Sequence, residues 1–297
     1  MKYVITGGSG HISKPVAKKL LAAGHEVTVI GRNADHLKEL KEKGAKTAIG
    51  SVEDVAFLTN TFNTADAVYT MVPPNFASAD WKAWIGQIGE NYATAIKASK
   101  VKYVVNLSSI GAHAPDGVGP VSGLHRAEEA LNKLTDVNIK HLRPSYFFDN
   151  LLSNVGLAKN AGIVGSNFGG EKFTMILADT KDIAEAAAEE LIDLRFKGHS
   201  VRYIASDERG TEEIAQILGK AIGKPELPWV VFNNNDALNG MIQAGLPEEI
   251  AKNYAEMGNA IHTGLMFEDY WKHHPEKLGK VKLEDFAKTF ASVYNVN

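Results

Sequence analysis

The residues with the plainest chemical use are Gly7, Gly8, Ser9 and Gly10. They stand between a β-branched and aromatic run, Tyr3-Val4-Ile5-Thr6, and a helical pattern. A short buried strand that stops at glycine and passes straight into a helix turns sharply and leaves backbone N–H groups free. Pro15 stands in the first turn of that helix, and Val16, Ala17, Leu20 and Leu21 share one face. Free amides at the positive end of a helix dipole favour an anion, and a dinucleotide pyrophosphate is the usual guest. Ser13 occupies the place where the fingerprint's third glycine allows close helix–strand packing, a role that a small residue fills less well.

The next informative residue is Arg32, at the end of a second strand over Glu26 to Ile30. NAD-preferring sites place Asp or Glu about 20 residues beyond the glycines, where the carboxylate accepts from a ribose hydroxyl. A guanidinium there pairs with a 2′-phosphate instead, so the strand end points to NADP(H). His36 and Lys38 lie close enough to help; the alternative is a solvated arginine after a strand.

These groups need elements to hold them. Short apolar runs at Lys46–Ile49, Ala67–Val72, Val101–Leu107 and Ile139–Leu142 alternate with helical patterns, the longest from Trp81 to Ser99. Such alternation implies a parallel sheet covered on both faces, with ligands bound beyond the carboxyl ends of its strands. Those ends are the Gly7 turn, Arg32, Ser51, the Val72-Pro73 loop, Ser108 and Pro144. After Asn150 the pattern changes to a glycine-rich loop, strands near Phe173–Leu177 and Val201–Ala205, and then mostly helix. The expected fold is therefore α/β: a Rossmann-type doubly wound parallel sheet with a smaller, mostly helical C-terminal lobe. Residues 1–150 form the NAD(P)-binding domain, 172–205 return to it, and the remainder of 151–297 is a substrate or partner lobe.

Composition narrows the class. The chain has 297 residues, 44% hydrophobic and 23% charged, a balance ordinary for a soluble globular protein. A net charge of −3 leaves no basic footprint for nucleic acid or an anionic membrane surface. The absence of cysteine removes disulfides, thiolate metal sites and cysteine nucleophiles together. His273-His274 and the remaining histidines lack the spacing and partners of a metal site, so no metal is expected. With no signal peptide or membrane-length apolar run read at the start, a cytoplasmic monomer or homodimer is expected, with no nucleic-acid or membrane partner.

Taken in order, TGGSGHIS, GRN after the second strand, LSSIGAH after the fifth, GLHRAEEAL on the next helix and LRPSYFFDNLL after the sixth form a set. It resembles the NmrA-like group of the atypical short-chain dehydrogenase/reductase superfamily over about residues 1–155, and TKDIAEAAAEEL extends the likeness. The resemblance implies an NAD(P)-binding protein that usually prefers NADP(H), and its quinone reductase-like members imply a small-molecule electron acceptor. By that resemblance Gly7, Ser9, Gly10, His11 and Ile12 hold the pyrophosphate and Arg32 the 2′-phosphate. Val72 and Pro73 line the ribose and adenine side, Ser108, Pro144 and Tyr146 surround the nicotinamide, and Ser51, Val52 and Met71 are further cofactor-binding candidates.

One departure stands out. Active members of the wider superfamily carry Tyr and, four residues on, Lys on the helix after the fifth strand; the matching positions here are Val121 and His125. Valine transfers no proton. Hydride transfer to a quinone needs little of the protein beyond orientation and a donor for the developing phenolate. His125, with Glu129 one helical turn on, is the candidate donor or a cofactor-ribose contact, and Ser108 and Tyr146 are further candidates. Trp229, Phe232, Met241 and Met266 are candidates for a flat aromatic pocket, with lobe core as the alternative. Two functions follow from these residues: an NADPH-dependent oxidoreductase acting on a quinone or similar conjugated molecule, or a non-catalytic NADP(H)-binding redox sensor.

Overall fold

A computed structural model describes residues 1–296. Twelve strands run in chain order. They are β1 (Lys2–Ile5), β2 (Glu26–Gly31), β3 (Lys46–Ile49), β4 (Ala67–Met71), β5 (Tyr103–Leu107) and β6 (Asn138–Pro144), followed by β7 (Tyr146–Phe147), β8 (Val164–Ser166), β9 (Thr174–Ala178), β10 (His199–Ile204), β11 (Asp207–Gly210) and β12 (Trp229–Val231). The helices are α1 (Ser13–Ala22), α2 (Lys38–Glu42), α3 (Val55–Phe62), α4 (Trp81–Lys97), α5 (Val121–Asn132) and α6 (Val155–Asn160). They continue as α7 (Thr180–Asp193), α8 (Thr211–Ala221), α9 (Asn234–Gln243), α10 (Glu248–His262), α11 (Glu268–Lys272) and α12 (Leu283–Asn295).

Seven strands form one sheet in the order β10-β6-β5-β4-β1-β2-β3, and every neighbouring pair is parallel. The chain leaves β1 toward β2 and β3 on one side and later returns to β4 on the other. The carboxyl ends of β1 and β4 therefore flank the switch in strand order, where such sheets bind ligands. The central strands are buried on both faces, as Val4, Ile5, Val68, Tyr69, Val104 and Val105 show.

One sheet face packs against α1 and α7 through Val16, Leu20, Ile183 and Leu191. The other packs against α3, α4 and α5 through Phe62, Ile88, Tyr92 and Leu131. Helices α4 and α5 touch backbone to side chain: a Cβ on Gly89 would lie 2.4 Å from Ala127 Cα. Such an approach needs glycine, and it brings the start of both helices to the same end of the sheet.

The strand expected near Val201–Ala205 is β10, the seventh strand of the main sheet. That near Phe173–Leu177 is β9, which lies outside that sheet. It pairs with β11 antiparallel and with β7 parallel. This small sheet and α8, α10 and α12 enclose a separate core around Phe148, Phe168, Ile214, Phe286 and Phe290. Thr211 is the buried first residue of α8, with Gly210 in the cap position. Asp179 caps α7 by accepting from the Lys181 amide, while Asp182 accepts from Ser206 Oγ at 2.7 Å. The segment after Pro225, expected to be helical, also contains β12, paired with β8.

Candidate active site

The glycine turn is built as the residue types require. Gly7 sits at φ +65°, a conformation that disfavours side chains, and a Cβ there would meet Met71 Sδ at 2.7 Å. Gly8 N–H donates to Ile30 O at 2.9 Å and Gly10 N–H to Gly7 O at 2.8 Å, which closes the turn. Helix α1 begins with no side-chain cap and no acidic residue in its first turn. Lys14 N–H donates to Gly10 O at 3.1 Å, while the amides of Ser9, His11, Ile12 and Ser13 have no backbone acceptor among the described residues and, with the positive dipole end, suit an anion. Ser9, Gly10, His11 and Ile12 form the rim of this cradle, and Ser13 is buried beneath it. His11 is exposed, with Nδ1 3.7 Å from Asp149 Oδ2.

Arg32 is exposed at the end of β2 and forms no ion pair among the described residues. His36 and Lys38 are likewise exposed and form no ion pair among the described residues, whereas Lys14 and Lys18 both pair with Glu39, whose carboxyl the two lysine hydrogen bonds hold down at about 2. Gly50 N–H donates to Gly31 O at 3.1 Å, so Ser51 follows directly beside this strand end. Val52 is buried behind it, and its carbonyl accepts from Asn91 Nδ2 at 3.3 Å. Met71 is pinned from two sides, its N–H donating to Thr6 Oγ1 at 3.0 Å and its carbonyl accepting from Tyr92 Oη at 2.7 Å.

From the cradle a cavity of about 350 Å³ runs over the strand ends toward the helical lobe. Of the expected site residues, Ile12, Met71, Val72, Pro73, Ser108 and Tyr146 line it. Its lining contains no Asp, Glu, Lys, Arg or His. Ser108 is buried, its N–H donates to Leu142 O at 2.8 Å, and its Oγ has no partner among the described residues. A buried hydroxyl without a protein partner at the end of a central strand leaves a hydrogen-bonding group open at the cavity. Burial pushes the Tyr146 phenol well above its ordinary range, and the neighbouring Tyr254 phenol adds to the shift.

Besides the residues of the glycine turn and the β2 and β3 ends, His125 and Pro144 stand apart from the cavity. His125 does not line it: Nδ1 donates to Ala112 O at 2.8 Å, and Nε2 lies 3.6 Å from Glu129 Oε2. The cavity side of α5 is taken by Val121 and Leu124. Positions 121 and 125 lie one helical turn apart on neighbouring parts of the same face, and it is the Nδ1 hydrogen bond to Ala112 O that holds the His125 ring on the loop after β5. His125 anchors that loop. Pro144 is buried within β6, where its carbonyl accepts from Ile110 N–H at 2.9 Å, and Ser145 after it reaches the lining.

Of the aromatic candidates, Met266 lines the cavity. Trp229 belongs to the lobe core, donating from Nε1 to Phe168 O at 2.9 Å with ring centroids 5.8 Å apart. Phe232 and Met241 do not reach the lining. The lining residues that sequence reading missed are Trp81 and Ile85 on α4, and Tyr254, Met257 and Ile261 on α10. The helical spacing of Trp81 and Ile85 reads as core, and they do pack on Ile250, yet at the helix start the same face overhangs the cavity. Positions 254, 257 and 261 recur at helical spacing, but nothing local says what lies opposite them. Among the described residues no cluster of three or more His, Asp or Glu could hold a metal ion, and no helix is long and apolar enough to cross a membrane.

A parallel sheet with a glycine turn and an uncapped helix at its switch point defines a dinucleotide-binding protein. Residues 7–193 match the NAD(P)H-binding family, and the chain belongs to it, in keeping with the NmrA-like motifs. Among characterised relatives it is 24% identical over 248 residues to the NAD(P)H azoreductase of Xenophilus azovorans, covering 84% of this chain and 83% of that protein. It is 26% identical over 267 residues to the uncharacterised oxidoreductase YesF of Bacillus subtilis, covering 88% and 85%. Among solved structures it superposes on the NADPH complex of Escherichia coli quinone oxidoreductase QOR2 with TM-score 0.83 and 20% identity, over 99% of this chain and all of that one. Citrobacter sp. triphenylmethane reductase gives 0.79 at 21% identity, over 98% and 100%. At these identities the superpositions establish the fold.

Proposed function

We propose that the protein is an NADPH-dependent oxidoreductase that passes hydride to a quinone or a similarly conjugated, uncharged small molecule. The observation that carries this reading is the cavity itself: it adjoins the pyrophosphate cradle and has apolar and aromatic walls without one ionic side chain. Such walls favour a flat apolar acceptor and exclude water from the reacting atoms. The names of the relatives, an azoreductase, a quinone oxidoreductase and a triphenylmethane reductase, support the same class of acceptor.

NADPH bound along the strand ends supplies the hydride. The Gly7, Ser9 and Gly10 turn, with His11 and Ile12, holds the pyrophosphate, and Arg32 holds the 2′-phosphate. Ser51 and Val52 stand at the adenine end, and Met71, Val72 and Pro73 press on the ribose. Ser108 and Tyr146 flank the nicotinamide, with Pro144 fixing the loop behind it. A redox-sensor reading draws on Val121 and on the engagement of His125 with Ala112, which leave α5 without an acid or base at the cavity.

Loss of reduced-nicotinamide absorbance, followed with a panel of quinones and an azo dye, separates the two. Turnover of any of these acceptors with NADPH supports the oxidoreductase. Tight NADPH binding with every acceptor left unreduced abandons it for the sensor.

A further inference from the structure

The chain lacks the superfamily's tyrosine on α5, yet it places a tyrosine at the same cavity from another element. Helix α10 turns one stripe, Tyr254, Met257 and Ile261, to the cavity, and Tyr254 is its one polar member. The Tyr254 ring is fixed by Trp81 of α4, edge to face, with centroids 5.5 Å apart and planes at 74°. The two helices are tied together around that contact. Glu249 accepts from the Trp81 backbone N–H at 3.1 Å, and Lys82 pairs with Glu256 at 2.6 Å. Tyr254 and Tyr146 each lack a hydrogen-bond partner among the described residues while lining the same space.

Resting on the oxidoreductase reading above, we infer that Tyr254 is a catalytic residue, donating a hydrogen bond to the acceptor oxygen that becomes negative as hydride arrives. When a quinone is reduced, one C–H bond of the nicotinamide breaks and one bond to hydrogen forms on the quinone, which takes both electrons. The second quinone oxygen is left as a phenolate and takes its proton from water. A donor already oriented toward that oxygen in a water-poor site stabilises the charge without reorganising. Burial raises the Tyr254 phenol, as it does Tyr146, so both remain protonated and act as donors rather than bases.

The test is steady-state turnover of 1,4-benzoquinone with NADPH by the full chain and by Tyr254→Phe and Tyr146→Phe, with NADPH affinity measured separately by fluorescence. The Tyr254→Phe change removes one oxygen and keeps the ring against Trp81. The expected result is a kcat about 10- to 100-fold lower for Tyr254→Phe. KM for the quinone and affinity for NADPH stay within about twofold, because the interaction is made in the transition state. A Tyr254→Phe kcat within about twofold of the parent, or a loss carried wholly by KM, overturns the assignment while the oxidoreductase reading stands. An unmodified chain that binds NADPH and reduces no quinone overturns both.

Discussion

Arg143, at the end of β6, reaches across to Asp269 on α11, with Nη1 3.2 Å from Oδ2. The same guanidinium holds Glu128 of α5 through two bonds, Nε–Oε1 at 3.0 Å and Nη2–Oε2 at 2.6 Å, and meets Tyr203 Oη at 3.0 Å. Tyr203 in turn donates to Asp269. One buried cation thus joins the sheet, the helix after β5 and the segment that carries Met266 and Phe267 into the cavity.

Removing that cation strands Glu128, whose side chain is only 5% exposed. Arg143→Met is therefore expected to destabilise the fold by about 3–5 kcal/mol, the range for breaking one side of a buried pair. Urea denaturation reads this directly; a loss below about 1 kcal/mol, the worth of a surface ion pair, would contradict it.

His125→Ala tests the loop-anchoring role against a chemical one. The variant is expected to keep kcat within about threefold of the parent and to lose about 1 kcal/mol of stability, because Ala112 O is deprived of its donor. Paired kinetics and thermal melts check it, and a hundredfold fall in kcat at unchanged stability would return the residue to the chemistry.

Arg32→Ala is expected to weaken NADPH binding by about 10- to 100-fold, the value of a hydrogen-bonded contact to a charged group, and to leave NADH binding unchanged. Fluorescence titration with both nucleotides decides it. Equal losses for the two would mean that Arg32 does not read the 2′-phosphate.

Gly7→Ala places a Cβ at φ +65° and against Met71 Sδ. The strain expected is about 1–3 kcal/mol, and the displaced turn costs nucleotide affinity as well. A Gly7→Ala protein with unaltered melting temperature and NADPH affinity would show that the turn can relax.

His141 supplies the pH dependence. It is buried as a neutral ring, accepting from Asn106 Nδ2 at Nδ1 and donating from Nε2 to Asn132 Oδ1 at 3.0 Å. Burial lowers its pKa in the folded state. On acidification the unfolded chain takes up a proton near pH 6.5 while the folded chain does not. This contribution is therefore complete above that pH and lost as pH falls toward the folded value, at up to about 1.4 kcal/mol per pH unit. Urea curves at stepped pH, compared with those of His141→Gln, isolate it: the stability gap between the two proteins should narrow below pH 6.5, and a constant gap would refute it.

Much of the architecture was legible in the chain because it rests on local rules. Strand and helix alternation, the Gly7 turn and the position of Arg32 are short-range patterns, and the sheet puts them where those patterns say. The strand at Thr174–Ala178 was legible as a strand but not as a member of a second sheet, because pairing partners are chosen by whichever edge is nearby in space.

By itself the sequence determined the glycine turn, the arginine at the end of β2 and the absence of tyrosine from α5, since each is one residue type at one place along the chain. Tertiary structure alone decided which side chains line the cavity. Val121 and His125 share a helical face, and what keeps the His125 ring out of the cavity lining is its hydrogen bond to Ala112 O in the folded loop after β5, a contact that no local pattern marks. Whether Tyr254 met Trp81 depended on two helices more than a hundred residues apart coming together over one apolar space. Periodicity marks which side of a helix is apolar, but only the assembled neighbours turn an apolar side into core or into the wall of a site.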